Sequence, residues 1–514
     1  MKWHQITSSA VCLILFVFNA TATVRYVDLN CTNATPPYTD WSIAATNIQD
    51  AINSAGSGDL VLVTNGIYRS GNQFFVDLSN PIVNGNFISS RFISSRIEIP
   101  SGVTVSSVNG PAVTMIEGTS RSCAALIGNS ALSGFTLTNG NAGNGYLGGG
   151  AYCQTTNALI SNCIICSNTA SAGAGVYLGT LTNCILSKNV ATYDGGGGAY
   201  GSVMNNCTLI GNTASAGGGA FGSVLNNCLV ISNRAVLSGI GAGGAGYSNV
   251  MNNCLILHNE GHVGRATVAV ASALTNCTIC YNHDNYGEAE IVVVGCILRN
   301  CILLQPSFAG PFYNGNDLKN CCVEPKASLV AGNGNIKISP LFVNTNSDFH
   351  LQSNSPCINS GNNAFVAVTN DFDGNPRIVA GTVDMGAYEF QSPASIISYA
   401  YLQQYGLPTD GSADDLDSDG DSLNNWKEWK AGTNPTNAAS VLQLASPSNT
   451  VSGVTVTWQS VSGVTYYLQS GTNLSVQPAF SSIQSNLVGQ AGTTSYTDTT
   501  ATTGGPYFYR VGVQ

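Results

Sequence analysis

Leu181-Thr182-Asn183-Cys184-Ile185-Leu186-Ser187-Lys188-Asn189 returns 23 residues later as Met204-Asn205-Asn206-Cys207-Thr208-Leu209-Ile210-Gly211-Asn212. It returns again, 21 residues further on, as Leu225-Asn226-Asn227-Cys228-Leu229-Val230-Ile231-Ser232-Asn233. Moving outward in both directions, the dipeptide Asn-Cys marks Cys163, Cys184, Cys207, Cys228, Cys254, Cys277, Cys301 and Cys321, at spacings of 21, 23, 21, 26, 23, 24 and 20. A period this short means a solenoid or a propeller, and a propeller blade needs about 40 residues. Two positions after the first six cysteines stands an aliphatic residue (Ile165, Leu186, Leu209, Val230, Ile256, Ile279), and five after them an Asn (Asn168, Asn189, Asn212, Asn233, Asn259, Asn282). Alternation with period two puts Cys and the aliphatic on one inward face of a short strand. The expected fold is all-β: a right-handed parallel β-helix of about 21–24 residues per coil, with like side chains stacked about 4.8 Å apart.

Each unit also carries a glycine-rich stretch closed by an aromatic residue, as in Gly148-Gly149-Gly150-Ala151-Tyr152 and Gly217-Gly218-Gly219-Ala220-Phe221. Glycine permits the positive-φ corners between strands. Tyr152, Tyr177, Tyr200, Phe221 and Tyr247 occupy one place in their units, so they form a column, either packed at a coil corner or offered to sugar rings. Tyr152, Tyr177, Tyr200 and Tyr247 are the candidate carbohydrate-binding residues. Two C-x-x-C pairs, Cys163/Cys166 and Cys277/Cys280, have the spacing of a metal or redox site, but the first member of each belongs to the repeat, where a small inert thiol suffices. Cys31, Cys123 and Cys357 lie outside the ladder and are the expected disulfide partners.

The start of the chain pairs Lys2 with the apolar run Ala10 to Phe18 and a small-x-small site at Ala20-Thr21-Ala22. It reads as a signal peptide cleaved near Ala22, so the chain is expected to be secreted or at the cell surface, with no transmembrane helix in the mature form. Charged residues are only 9% of the 514, and the net charge of −10 comes with no cluster of Lys and Arg, which argues against nucleic acid as a partner. A surface of amides and hydroxyls suits stacked β structure outside the cell, and an extracellular polysaccharide is the expected partner. A monomer is the expected state.

At the first coil, Ile48, Ala51, Ile52 and Ala55 have helical spacing before the strand Leu60 to Val63, as a cap over an open solenoid end would. This segment resembles the N-terminal cap of secreted proteins with the pectin/pectate-lyase-like β-helix fold. Further on come Ser339-Pro340-Leu341-Phe342, Phe349-His350-Leu351, Ser355-Pro356-Cys357, then Asp371, Gly374, Arg377 and Asp384-Met385-Gly386-Ala387-Tyr388-Glu389. Together these resemble the choice-of-anchor Q type of bacterial β-helix protein, over roughly Val24 to Phe390. The resemblance implies the fold and export, and no established reaction.

Four regions follow: residues 1–22, the signal peptide; 23–390, the β-helix with its helical cap; 391–440, a linker and calcium module; and 441–514, a small β-sandwich. In the third, Asp417, Asp419 and Asp421 fall at positions 1, 3 and 5 of a calcium loop. Leu423 offers a carbonyl at 7, Asn425 stands at 9 and Glu428 at 12, a set of hard oxygen donors suited to Ca²⁺. Ser422 stands at position 6, where glycine is the rule. Glu428 to Pro435 resembles the tail of dockerin-like and thrombospondin-type-3-like calcium repeats. Asp410, Asp414 and Asp415 are candidates for a second, incomplete site. In the fourth region, Val454 to Trp458, Thr465 to Leu468 and Tyr507 to Val511 read as strands of a fibronectin-III-like sandwich with Trp458 in its core.

For catalysis the coils offer little. From Ser122 to Asn259 the charged residues are Lys188, Asp194 and Arg234. β-Helix glycosidases need paired carboxylates. The exception is two adjacent coils with His258, Glu260, His262, Arg265, His283, Asp284, Glu288 and Glu290. Registering Cys254 on Cys277 sets Glu260 over His283 with Asp284 beside them, so Glu260, His283 and Asp284 are the candidate acid–base residues. The function expected is polysaccharide binding without strong catalysis, with Ca²⁺ in the 410–428 loop. The alternatives are a polysaccharide lyase or glycoside hydrolase using the 258–290 cluster, and a surface adhesin or structural rod.

Overall fold

The computed structural model describes residues 22–84, 87–143, 145–236, 243–261, 267–284, 293–304, 315–324, 333–502 and 505–514. One coil runs through Thr180–Thr182, Ile185–Ser187, Val190–Ala191 and Ala199–Tyr200 before the next begins at Val203. We call the four stacks S1 to S4 in that order. Among the described residues they hold twelve, eleven, six and ten strands. Pairing between coils is parallel and in register. Leu181, Met204, Leu225, Met251, Leu274 and Leu298 align in S1. Ile165, Leu186, Leu209, Val230, Ile256 and Ile279 align in S2. Both columns are buried, so the solenoid core is a set of aliphatic ladders along the axis. The all-β parallel β-helix read from the repeat is the fold of the chain.

The Asn-Cys dipeptide has a backbone cause. Asn162, Asn183, Asn206, Asn227, Asn253, Asn276, Asn300 and Asn320 make the S1–S2 corner with φ of 51–54°. Asn tolerates this left-handed conformation better than other side-chain-bearing residues. The corners expected of glycine are therefore shared: Gly148, Gly173, Gly196 and Gly217 serve the turn before S4, with φ of 56–75°. After each corner Asn the cysteine turns inward, and its thiol donates to the carbonyl two residues earlier at 3.2–3.4 Å. The second Asn of the repeat is fully buried. Asn189 shows the pattern: its N–H and its Nδ2 both donate to Asn212 Oδ1, at 3.0 and 2.9 Å, and Nδ2 also donates to the Ile165 carbonyl at 2.9 Å.

The expected disulfides are not formed: Cys31, Cys123 and Cys357 are free thiols, as are the eight ladder cysteines. In-register stacking sets ladder Cβ atoms about 4.8 Å apart, beyond the roughly 3.5–4.5 Å that a disulfide spans. The C-x-x-C pairs do not converge either. Cys163 and Cys277 point into the solenoid, whereas Cys280 packs on the outer face of S2 and Cys166 bonds outward to Thr138 Oγ1.

Helix α1 (Ile48–Asn53), capped by Asn47, buries Ile48, Ala51 and Ile52 against the first coils. At the other end, residues 334–400 lie over the outer face of S2. Phe342, Phe349, Leu351 and Met385 cover Leu255, Leu257, Cys280 and Ile302. The corner asparagines serve as its rail: Asn276 donates to the Asp384 carbonyl at 3.3 Å and Asn300 to that of Asn362 at 3.0 Å. This overlay has little regular structure, so side chains satisfy its backbone. Buried Arg377 donates to the carbonyls of Ala387, Asp384 and Gly386, while the carboxylates of Asp371, Asp384 and Glu389 accept backbone N–H groups. Burial pushes the pKa values of Asp384 and Glu389 up.

Beyond the overlay come α2 (Tyr399–Gln404) and α3 (Asn425–Ala431). Two three-stranded antiparallel sheets complete the chain, with Trp458 fully buried between them. No helix among the described residues is long and apolar enough to cross a membrane. Residues 1–21, which carry the signal-peptide reading, lie outside the described residues.

Candidate functional site

The outer face of S3 brings together part of the acid–base cluster. Glu260 pairs with His283 and Gly261 with Asp284, the register read from the cysteines. Glu260, however, also stacks on Arg234 and is ion-paired to it, Arg234 Nε to Glu260 Oε1 at 2.9 Å. The ion pair ties Glu260 to the preceding coil and occupies one of its carboxylate oxygens, as a surface clasp between coils does. His262, Arg265, Glu288 and Glu290 lie outside the described residues. His258 is on the S2–S3 corner with its ring stacked on Tyr281 at 5.5 Å.

The aromatic column lies on the outer face of S4. Its strands alternate so that Ala151, Val176, Ala199 and Ala220 face the core while the rings face out. Tyr152, Tyr177, Tyr200, Phe221 and Tyr247 stack in order with centroids 5.5, 5.3, 5.0 and 4.9 Å apart and planes within 19° of parallel. Each such pair contributes about 0.5–1.5 kcal/mol. The glycines explain themselves here: a Cβ on Gly195 would stand 2.2 Å from the Phe221 ring. Tyr152 is set apart from the other candidate residues. It is fully buried, its hydroxyl donates to Asp77, and Phe75 of the long hairpin Gln73–Asn84/Phe87–Ile99 covers it at 5.8 Å. Tyr177, Tyr200, Phe221 and Tyr247 are half-buried. Their faces are taken by each other, so the stripe offers ring edges over a length of about four coils.

The third place is the acidic loop. Asp417 accepts from the N–H groups of Gly420, Asp421 and Ser422; Asp421 Oδ1 accepts from Leu423 N at 2.8 Å. These bonds wind the loop around its own carboxylates, and Ser422 takes φ of 80° at the position where glycine is the rule. One oxygen from each of Asp417, Asp419 and Asp421 lies within 4.8 Å of the others. Asn425 and Glu428, on the first turn of α3, are fully buried. Asp419 Oδ2, Asp421 Oδ2, Asn425 Oδ1 and Glu428 Oε2 are buried oxygens without a hydrogen-bond partner. Burial, with Asp419 and Asp421 facing it, pushes the Glu428 carboxyl up to about 7. Buried acceptors without donors are costly unless a cation or a donor completes them. The second acidic set does not converge: Asp414 holds Ser395 and Ile396 N, Asp410 bonds Ser412, and Asp415 accepts from Asn424.

Sequence reading passed over one cluster. His350, on the hairpin Phe342–Asn344/Asp348–Leu351, sits between Asp348 and Asp373, with Nε2 2.7 Å from Asp373 Oδ2. Both ring nitrogens are engaged, and the two carboxylates raise its pKa against the opposing pull of burial. The signal was the Asp-x-His spacing, with Asp373 supplied only by the fold.

No family model matches the chain, and no curated protein does. Solved structures do. The chain is similar to pectate lyase Pel9A at 15% identity and a TM-score of 0.44, over 72% of this chain and 97% of that one. It is similar to a pectin methylesterase from carrot at 10% and 0.29, over 62% and 89%. It is also similar to the Dettilon tailspike protein at 11% and 0.30, over 58% and 67%. Likenesses at this level carry no argument about activity.

Proposed function

We propose that the protein is an exported glycan-binding β-helix without strong catalysis, whose C-terminal modules are set by Ca²⁺. The observation that supports binding is the outward aromatic stripe Tyr177, Tyr200, Phe221 and Tyr247 on a surface almost without charge. Aromatic edges and hydroxyl groups along one straight line suit an extended sugar chain, which presents alternating apolar and hydroxyl surface. The N-terminal Lys2, apolar run and Ala20-Thr21-Ala22 support export. The engagement of Glu260 with Arg234 speaks against the lyase or hydrolase reading. The test is calorimetry and product analysis of the full chain on a panel of polysaccharides. Retention without release of reducing or unsaturated ends is expected, with affinity falling about tenfold in Tyr200→Ala, equal to about 1.4 kcal/mol. Turnover of any polymer, or affinity unchanged by Tyr200→Ala, would reject it.

The calcium reading rests on the four orphaned buried oxygens. Asp417, Asp419, Asp421, Asn425 and Glu428 would hold the ion through side chains and Leu423 through its carbonyl; the ion would supply charge neutralisation and rigidity. Titration of the full chain with Ca²⁺ is expected to show one site, weakened at least tenfold in Glu428→Gln, which removes one ligand charge. Absence of heat, or unchanged affinity in the variant, would remove calcium from the proposal.

A further inference from the structure

We propose that Arg96 and Arg121, at the N-terminal end of the aromatic stripe, form an anion site that takes a carboxylate or sulfate group of a bound glycan. The ligand rests on the glycan-binding reading; the site itself does not. The chain has only 17 Lys and Arg, yet Arg69, Arg91, Arg96 and Arg121 fall within 53 residues. The strand Phe87–Ile99 pairs in parallel with Ser122–Leu126, Ser95 opposite Ser122, so Arg121 stands one residue before the paired strand and diagonal to Arg96 on the adjacent coil. Arg96 is fixed by three bonds: Nε to the Glu117 carbonyl at 3.0 Å, Nη1 to the Gly71 carbonyl at 3.2 Å, and Nη2 to Thr119 Oγ1. Arg121 has no such anchor. Its Nε and Nη1 are buried and have no hydrogen-bond partner among the described residues, under the Phe74 ring 6.0 Å away.

The nearby carboxylates are spoken for. Glu117 pairs with Arg69 at 2.5 Å and accepts from Asn139 at 3.0 Å, and Asp77 accepts from Tyr152. Burial and the charge of Arg121 together disfavour the Arg96 cation. Two guanidinium groups close enough to repel, one with buried N–H groups unsatisfied, form an incomplete polar arrangement. An oxyanion completes it, because the planar guanidinium fork matches carboxylate and sulfate oxygens. Phe75, next to Phe74 on the hairpin, packs on Tyr152, the first ring of the stripe. A glycan that presents an acidic group to these arginines is therefore favoured over a neutral one.

The experiment uses the full chain, with Arg121→Gln and Arg121→Lys, and circular dichroism to check that each variant folds. Calorimetry compares tetragalacturonate, a heparin-derived sulfated tetrasaccharide and neutral cellotetraose. In parallel, the thermal midpoint is read in sodium sulfate and in sodium chloride of equal ionic strength. The parent is expected to prefer an acidic over the neutral tetrasaccharide by about tenfold in Kd. Arg121→Gln should lose that preference and the sulfate-specific rise in midpoint, while Arg121→Lys keeps part of both. The two acidic arms decide between carboxylate and sulfate. A preference or a sulfate response that survives in Arg121→Gln overturns the site. A sulfate response lost in Arg121→Gln, with no tetrasaccharide bound by the parent, keeps the anion site and removes the glycan reading.

Discussion

Two asparagines per coil do different work. The corner Asn is selected by a left-handed φ and the internal one by an acceptor that its neighbour's N–H and amide both need. Replacing Asn212 by Ala leaves Asn189 N and Nδ2 without their acceptor and the Leu186 carbonyl without its donor. Buried unsatisfied groups cost about 1–3 kcal/mol each, so a loss of about 3 kcal/mol is expected by denaturant unfolding. Asn206→Gly, by contrast, should be close to neutral, because glycine accepts the φ of 53° that Asn206 holds. His350 gives a pH dependence with a definite sign. Its folded pKa lies above the unfolded value of about 6.5. The stabilisation is therefore fully present below that unfolded value and is lost as pH rises through the folded pKa. Asp348 is lowered mainly by its bond to His350, so its share disappears as pH falls through its own folded pKa. The difference in thermal midpoint between the parent and His350→Gln should be greatest near pH 5–6 and shrink above pH 8. Both side chains are more than a third exposed, so the effect is small.

Apart from one short hairpin, the overlay 334–400 leans on side-chain-to-backbone bonds, and Arg377 is its centre. Arg377→Met removes three donors to buried carbonyls and leaves Asp371, Asp384 and Glu389 without their cation. Removing one partner of a buried ionic set costs about 3–5 kcal/mol. The overlay should then detach while the coils remain, exposing Leu255, Leu257 and Ile302. The expected readouts are protease cleavage between residues 360 and 390 and binding of a hydrophobic dye, with far-ultraviolet dichroism little changed. Intact overlay in that variant would show that its apolar contacts suffice.

Across the whole molecule, the acidic loop proposed to hold Ca²⁺ stands at a junction. Asp414 clamps Ser395 and Ile396, Tyr399 packs into the overlay core, and Tyr401 donates to the Thr433 carbonyl at 3.1 Å beside Glu428. Gly432, which ends α3, faces Val461 and Val464 in the turn between the strands Gly453–Ser460 and Thr465–Gly471. A ligand that binds only the folded loop stabilises it by about 2.7 kcal/mol at a hundred times its Kd. Chelation should therefore open residues 410–435 to limited proteolysis and lower the midpoint of the C-terminal modules. The coils, which rest on their own ladders, should keep theirs.

The β-helix was legible in the residues because stacking is periodic: every coil repeats the same corner, the same inward Cys and aliphatic, and the same Asn, so spacing alone gives register. Glu260 over His283 was read that way. The closeness of Asp417, Asp419 and Asp421 was equally local, within a single short loop. What no repeat encodes is which side chains meet from different coils or different regions. Arg234 on Glu260, Asp77 under Tyr152, Asp373 on His350 and Arg121 beside Arg96 are pairings made by stacking, by the folded-back hairpin and by the overlay. These contacts join residues far apart in sequence, where charge and burial are fixed by tertiary geometry and leave no periodic trace.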